Sequence, residues 1–205
     1  MRKGQLFALG SVGACLMSMV ALVIPLPASA ADSSAWDQDM RSAVRLVAAQ
    51  PRIIDGTFYF RAGIEIKLHS SWKVYGFDPR WKHSARNLSA SRWEDDQTVG
   101  VPPVLDFSAS ENLKSVTVLW PKPTRFGSAD SYYAYGYADN VVWPLRLLPK
   151  DRTKPIKLRV IVDYAVFEIL AVPAKAKAEL ELSAADGAFD ALVSAAEASV
   201  EEQPR

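Results

Sequence analysis

The sequence predicts an all-β protein, an antiparallel β-sandwich followed by a C-terminal helix, and three observations carry that prediction. From Leu158 to Leu182 the chain reads as two strands joined at a tight corner. Leu158, Val160, Val162, Tyr164 and Val166 share one face by period-2 alternation, as do Ala176, Ala178, Leu180 and Leu182 after the corner. Phe58, Phe60, Ala62, Ile64, Ile66 and Leu68 show the same period earlier in the chain. Beyond Leu182 the period changes, and Phe189, Leu192, Val193, Ala196 and Val200 fall on one helical stripe.

At the start, Arg2 and Lys3 precede an apolar run from Leu6 to Leu26, and Ala28-Ser29-Ala30 follows it. A basic opening, an apolar middle and a small-residue site make residues 1–30 a secretory signal peptide, cut after Ala30. One alternative is a retained membrane anchor, because the run is about long enough to span. Another is lipidation at Cys15 within Val12-Gly13-Ala14-Cys15. Pro25, Pro27 and the A-x-A site favour ordinary cleavage, with no membrane span left after it. Losing Arg2 and Lys3 leaves 22 basic residues against 23 acidic ones, a net charge of −1. That balance offers no electrostatic footprint for nucleic acid. Cleavage also removes Cys15, the one cysteine of the chain, so the exported product has no thiolate or disulfide to use.

What remains suits one domain with a sizeable core. Residues 31–41 form a lead-in, 42–183 the sandwich, and 184–205 a helix and tail. Between Trp36 and Ala49 two periods compete. Trp36, Met40, Val44 and Val47 have helical spacing, whereas Val44, Leu46 and Ala48 alternate as in a strand. Spacing alone leaves the two open. Asp55-Gly56 is a turn signal opening the next strand, whose second face carries Thr57, Tyr59, Arg61, Glu65 and Lys67.

The passage from Phe77 to Gly100 reads as a long loop, uncommon inside a compact domain. It is basic at Arg80, Lys82 and Arg86, acidic at Glu94, Asp95 and Asp96, and carries Trp81 and Trp93. It is either a partner-contacting flap, since Trp and Arg are favoured interface anchors, or a surface elaboration whose tryptophans tuck back. Ser110-Glu111-Asn112 reads as a turn satisfying its own backbone. Val116, Val118 and Trp120 alternate in a strand that Pro121 and Pro123 end. The tyrosines from Tyr132 to Tyr137 fit cross-strand aromatic pairing. Ser183-Ala184-Ala185-Asp186 predicts the cap of a helix from about Gly187 to Glu201.

Chemical motifs are sparse. His69 and His83 lie far apart in sequence and make no ligand pattern, so no metal and no cofactor is expected. No nucleophile elbow, phosphate loop or dinucleotide fingerprint occurs. The corner is the remaining candidate. If Glu168 to Leu170 form a three-residue loop, Phe167 and Ala171 face each other with Cα atoms about 4.5–5.5 Å apart, within the range a disulfide requires.

The segment DYAVFEILAVPAKAKAEL resembles the N-terminal periplasmic domain of the thiol:disulfide interchange protein DsbD and its ScsB-like relatives. The family pattern there is tyrosine, two residues, cysteine, three residues, cysteine, an aliphatic residue and proline. Tyr164, Val172 and Pro173 match, but the cysteine positions hold Phe167 and Ala171. Two further blocks are similar to the family: Ala62, Gly63, Trp72, Lys73 and Tyr75 around RAGIEIKLHSSWKVYG, and VPPVLDFSASENLKSVTVLWPKPTRF. Gly136, Tyr137, Val141, Val142, Pro144 and Pro149 match a third passage. Departures are His69-Ser70-Ser71 and Gly76, and the length of 77–100.

The resemblance spans roughly residues 42–182 and implies a first strand at Ser42–Ala49 and an immunoglobulin-like sandwich in the periplasm, with a periplasmic protein as partner. Larger relatives continue into a membrane domain, and none is expected after Arg205. With both cysteines replaced, no catalytic residue is assigned. Tyr164, Phe167, Tyr75, Trp81 and Trp93 are the candidate partner-binding residues. Three functions compete: a non-catalytic binding or accessory module, a thiol:disulfide interchange component, and a structural subunit of an envelope complex.

Overall fold

A computed structural model describes residues 32–76, 100, 102–127, 133–184 and 187–200. The described strands are β1 (Asp37–Gln38), β2 (Ser42–Ile54), β3 (Thr57–Leu68), β4 (Lys73–Tyr75), β5 (Val104–Asp106) and β6 (Leu113–Val118). They continue with β7 (Thr124–Phe126), β8 (Ala134–Ala138), β9 (Asn140–Pro149), β10 (Ile156–Phe167) and β11 (Ala171–Leu182), and helix α1 (Asp190–Ala198) follows. One sheet runs β1-β2-β3-β9-β6 and the other β11-β10-β4-β8-β7, with β5 paired to β10. Every strand pairing is antiparallel. This is an immunoglobulin-like antiparallel sandwich with a short C-terminal helix.

The alternation read from the sequence places the core. Val44, Leu46 and Ala48 of β2 meet Phe60, Ala62, Ile64 and Ile66 of β3 in one buried cluster. Leu158, Val160, Val162, Tyr164 and Val166 close it from β10, and Ala176, Ala178, Leu180 and Leu182 from β11. Trp143 of β9 is fully buried there, its ring 5.0 Å from Trp120. The β2–β3 hairpin turns at Asp55 and Gly56, both at positive φ, as the favoured two-residue hairpin loop requires.

β2 runs five residues beyond the expected Ala49 and keeps pairing only by shifting register between Ala49 and Arg52. Pro51 lies inside the shift and has no ladder donor, which explains it. The shift leaves the Gln50 carbonyl to accept from Arg61 Nη1 at 3.0 Å.

That arginine is the main departure from the expected alternation. Arg61 and Glu65 lie on the face of β3 opposite the core, yet both are buried. The reason is α1, which packs Val193 against Val47, Ala49 and Val142 on that face. Gly63 makes the close approach possible, because a Cβ there would collide with a Val142 methyl group. Buried below the helix, the Arg61 guanidinium spends all five donors. Nε and Nη2 reach the two Glu197 oxygens at 3.0 and 2.6 Å. Nη1 reaches Asp190 at 2.5 Å besides Gln50, and Nη2 reaches Ser194 Oγ at 2.9 Å. A buried charge persists only when paired in this way.

The helix is shorter than the 187–201 expected and begins differently. Phe189 occupies the cap position without a side-chain cap bond. The Asp32 carboxylate instead accepts from the Gly187 and Ala188 amides at 3.2 and 3.4 Å, and the Phe189 amide donates to the Ala48 carbonyl of β2. The sheet and lead-in thus fix the start, and Ala185 and Asp186 of the expected cap lie outside the described residues. Asn112 also differs from expectation. Its side chain holds the backbone of the 151–155 turn, donating to the Asp151, Lys154 and Pro155 carbonyls and accepting from the Asp151 amide.

Two predictions follow from the Arg61 cluster. Glu197→Ala leaves buried guanidinium donors unmet and should cost about 3–5 kcal/mol, read as a lower urea midpoint with an unchanged slope. Burial alone would raise the Asp190 carboxyl, but the Arg61 hydrogen bond and the charges of Arg61 and Arg52 outweigh it and hold the group below the usual carboxylate range. Its stabilising contribution is therefore present above the unfolded value of about 3.9 and lost as pH falls through the lower folded value. Amide exchange at Val193, corrected for intrinsic rate, should lose protection there before the β10 amides do.

Candidate functional site

β10 and β11 pair over their whole length without a register shift, from Ile156↔Leu182 to Phe167↔Ala171. The last rung is the corner. Glu168, Ile169 and Leu170 form the three-residue connection, so Phe167 and Ala171 stand opposite each other across it.

Odd-numbered residues of β10 face away from the core, and Phe167 is one of them. It is nonetheless only 8% exposed, within a cluster with Tyr75, Ala134 and Ala165. Its ring stacks on Tyr75 at 4.3 Å between centroids and 26° between planes, and meets the edge of Phe126 at 6.0 Å. Register explains the meeting: Lys73 pairs with Phe167, Tyr75 with Gly136, and Phe126 with Ala134. Gly136 is the floor. A Cβ there would run into the Val74 carbonyl oxygen and sit 3.3 Å from the Phe167 ring. Burial also raises the Tyr75 phenol above its ordinary pKa, so Tyr75 stays a neutral stacking partner.

Above this aromatic base the loop is apolar and open. Ile169 is 92% exposed and Leu170 76%. Exposed apolar residues are commonplace singly on surfaces, and here two adjacent ones occupy the tip of one hairpin. Sequence reasoning passed over both, although their place in an already recognised three-residue loop was the available signal.

The predicted site residues separate. Phe167 and Tyr75 come together at the corner. Tyr164 does not join them: it is 6% exposed, faces the core, and pairs its hydroxyl with Ser42 Oγ at 2.9 Å. Period-2 alternation puts positions 164 and 167 on opposite faces of one strand, so Tyr164 braces β10 from inside. Trp81 and Trp93 lie outside the described residues. Ala171 is exposed at the rim. Neither Phe167 nor Ala171 carries a group able to exchange electrons, and the described residues contain no cysteine. Among them no cluster of three metal-ligating side chains occurs.

The fold defines an immunoglobulin-like domain, and its candidate site is the apolar β-hairpin corner. Among solved structures, the chain is similar to the N-terminal periplasmic domain of ScsB from Proteus mirabilis, with a TM-score of 0.56 at 18% sequence identity. The likeness covers 84% of this chain and 60% of that one. At that identity the likeness is one of fold. No protein-family model matches the sequence, and no curated protein does.

The aromatic base makes one measurable claim. Phe167→Ala removes a buried ring and should cost about 3–5 kcal/mol in urea unfolding, whereas Ile169→Ala at the exposed tip should change stability by less than about 0.5 kcal/mol.

Proposed function

We propose that this protein is a periplasmic binding module of an envelope thiol-redox or protein-maturation system, one that docks a protein partner at the β10–β11 corner without exchanging disulfides. The observation that carries the reading is the corner itself. The facing pair sits on adjoining strands in a single register, but a phenylalanine and an alanine fill the two places. Disulfide exchange proceeds by thiolate attack through a mixed disulfide, and these side chains supply no sulfur. What they supply is packing: a ring locked on Tyr75 and Phe126 that holds Ile169 and Leu170 outward. The groups a partner would meet are therefore Ile169 and Leu170, and the ring serves as their base.

Location in the periplasm is supported by the export signal in the sequence and by the periplasmic origin of the ScsB domain. No helix among the described residues is long and apolar enough to cross a membrane. The competing reading, a thiol:disulfide interchange component, rests on that likeness alone. The partner is a protein offering an apolar pocket to the tip.

A photo-crosslinking residue at Ile169 should give a discrete adduct in periplasm, and the same group at Lys114 on β6 should not. The adduct should disappear with Leu170→Ser. Equal labelling from both positions, or disulfide-reducing activity in the purified protein, overturns the proposal. The corner geometry has its own test. Phe167→Cys with Ala171→Cys should form a disulfide spontaneously under oxidising conditions, because directly opposed strand residues lie within bridging distance. Two free thiols in a folded protein would refute it.

A further inference from the structure

β11 is the last strand of its sheet: it pairs with β10 on one side and, among the described residues, with no strand on the other. It is twelve residues long and runs without a bulge. A long, regular edge presents a row of unspent amides and carbonyls on which a further strand can pair. One bond shows which groups these are. The Lys177 amide donates away from β10, to the Asp37 carboxylate at 2.8 Å. The amide and carbonyl of a strand residue point to one side, and those of the next residue to the other. Lys175, Lys177, Glu179 and Glu181 therefore all aim their backbone groups outward. Their side chains are exposed, while Ala176, Ala178, Leu180 and Leu182 between them are buried. Pro173, the preceding member of the odd series, has no N–H and ends the usable edge.

Charge decides what can pair there. Charged side chains commonly blunt an edge strand, and a run of one sign would repel a second copy. Here the order is Lys, Lys, Glu, Glu, which inverts in sign about Ala178. Laid antiparallel on its own copy, with Ala178 facing Ala178, the strand sets Lys175 against Glu181 and Lys177 against Glu179. A shift of two residues sets Lys177 against Lys177 in one direction and Glu179 against Glu179 in the other. One alignment is thus selected. β10 extends the match. Asp163 holds Lys175 at 2.9 Å, and Lys157 stands opposite Glu181 in register. The outer row across the joint therefore alternates in sign over four strands: Asp163 and Lys175 of one copy, then Glu181 and Lys157 of the other. Among the described residues Lys177 and Glu181 have no ion pair of their own.

We propose that two copies of this protein join edge to edge through β11 into one continuous antiparallel sheet, and that Asp37 guards the edge. Asp37 lies on β1, the two-residue strand of the lead-in. Its carboxylate holds the amide that bonds to the Glu179 carbonyl of the second copy. Pairing returns that exposed carboxylate to water and replaces its bond with a strand bond. The joint is one strand wide, far from the extent of an obligate interface, so the dimer is weak and concentration-dependent. It leaves the β10–β11 corner free and does not rest on docking there.

The test is sedimentation velocity of the purified protein over a concentration series. The protein should dimerise with Kd of about 100 μM, and less tightly as salt rises. Lys177→Glu sets carboxylate against carboxylate on the central rungs and should weaken the dimer at least about tenfold. Adding Glu179→Lys should restore it to within about fivefold. Asp37→Ala removes the guard from both copies and should tighten the dimer about tenfold. Lys114→Glu, on the edge strand of the other sheet, and Leu170→Ser at the corner should have no effect. Every substituted position is exposed, and an unchanged amide spectrum of the dilute variants separates lost pairing from lost fold. A protein that stays monomeric, a dimer indifferent to Lys177→Glu or to Asp37→Ala, or a charge swap that fails to recover it overturns the proposal.

Discussion

The unbroken register between β10 and β11 is the constraint on which the rest of the structure depends. Twelve rungs pass from Ile156↔Leu182 to Phe167↔Ala171 with no bulge. In a strand a slip of one residue sends every side chain to the opposite face. Here such a slip would move Val160, Val162 and Val166 out of the core and Arg159, Asp163 and Phe167 into it. The charged rungs on the outer face hold the same register. Arg159 binds Glu179 at 2.8 Å and Lys175 binds Asp163 at 2.9 Å. Exposed pairs of this kind contribute little stability each, but a slip would break both while burying their charges. The core face and the corner are therefore two consequences of one alignment.

The two sheets treat their outer faces differently, and the candidate site follows from that. On the sheet of β2, β3 and β9 a nine-residue helix closes the face over a buried arginine. The helix is too short to persist unaided. Its hold on the sheet comes from Val193 in the apolar cluster and from Asp190, Ser194 and Glu197 around one guanidinium. Just before the helix begins, Arg45 takes over, lying 4.4 Å from Trp36 and 4.9 Å from Phe189. That contact ties the lead-in to the helix. On the other sheet, among the described residues, the outer face closes around Phe167, through three short strands that bring one aromatic or glycine residue each.

How legible this was depends on the range of the interaction. Alternation along one strand is local, so the core faces of β3, β10 and β11 could be read directly, and so could the opposition of Phe167 and Ala171 from a three-residue loop. What covers the outer face of β3 depends on where a helix more than a hundred residues later comes to rest. Arg61 and Glu65 accordingly read as ordinary outward positions. Tyr164 illustrates a different failure: the alternation was visible, but membership of a family motif drew it into the site against its own parity. The helix start misled because Ser183 to Asp186 have cap chemistry, while the Asp32 carboxylate and the Ala48 carbonyl, both distant in sequence, decide where the chain turns.

Phenylalanine facing alanine at the corner acts on the fold differently from a disulfide across the same rung. A disulfide joins the two strands covalently and leaves the neighbouring surface to other groups. A phenylalanine must find its own contacts, and here it does so sideways, against Tyr75 and Phe126 on strands β4 and β7. The missing Cβ at position 136 on β8 leaves room for the Val74 carbonyl of β4 and for the ring itself. The ring thus fastens the hairpin end to the rest of its sheet instead of fastening one hairpin strand to the other. With its base held in this way, the loop can present Ile169 and Leu170 to solvent without collapsing onto the sandwich. Rigidity at the base and exposure at the tip are the two properties a docking element requires, because groups ordered beforehand lose less entropy when a partner arrives.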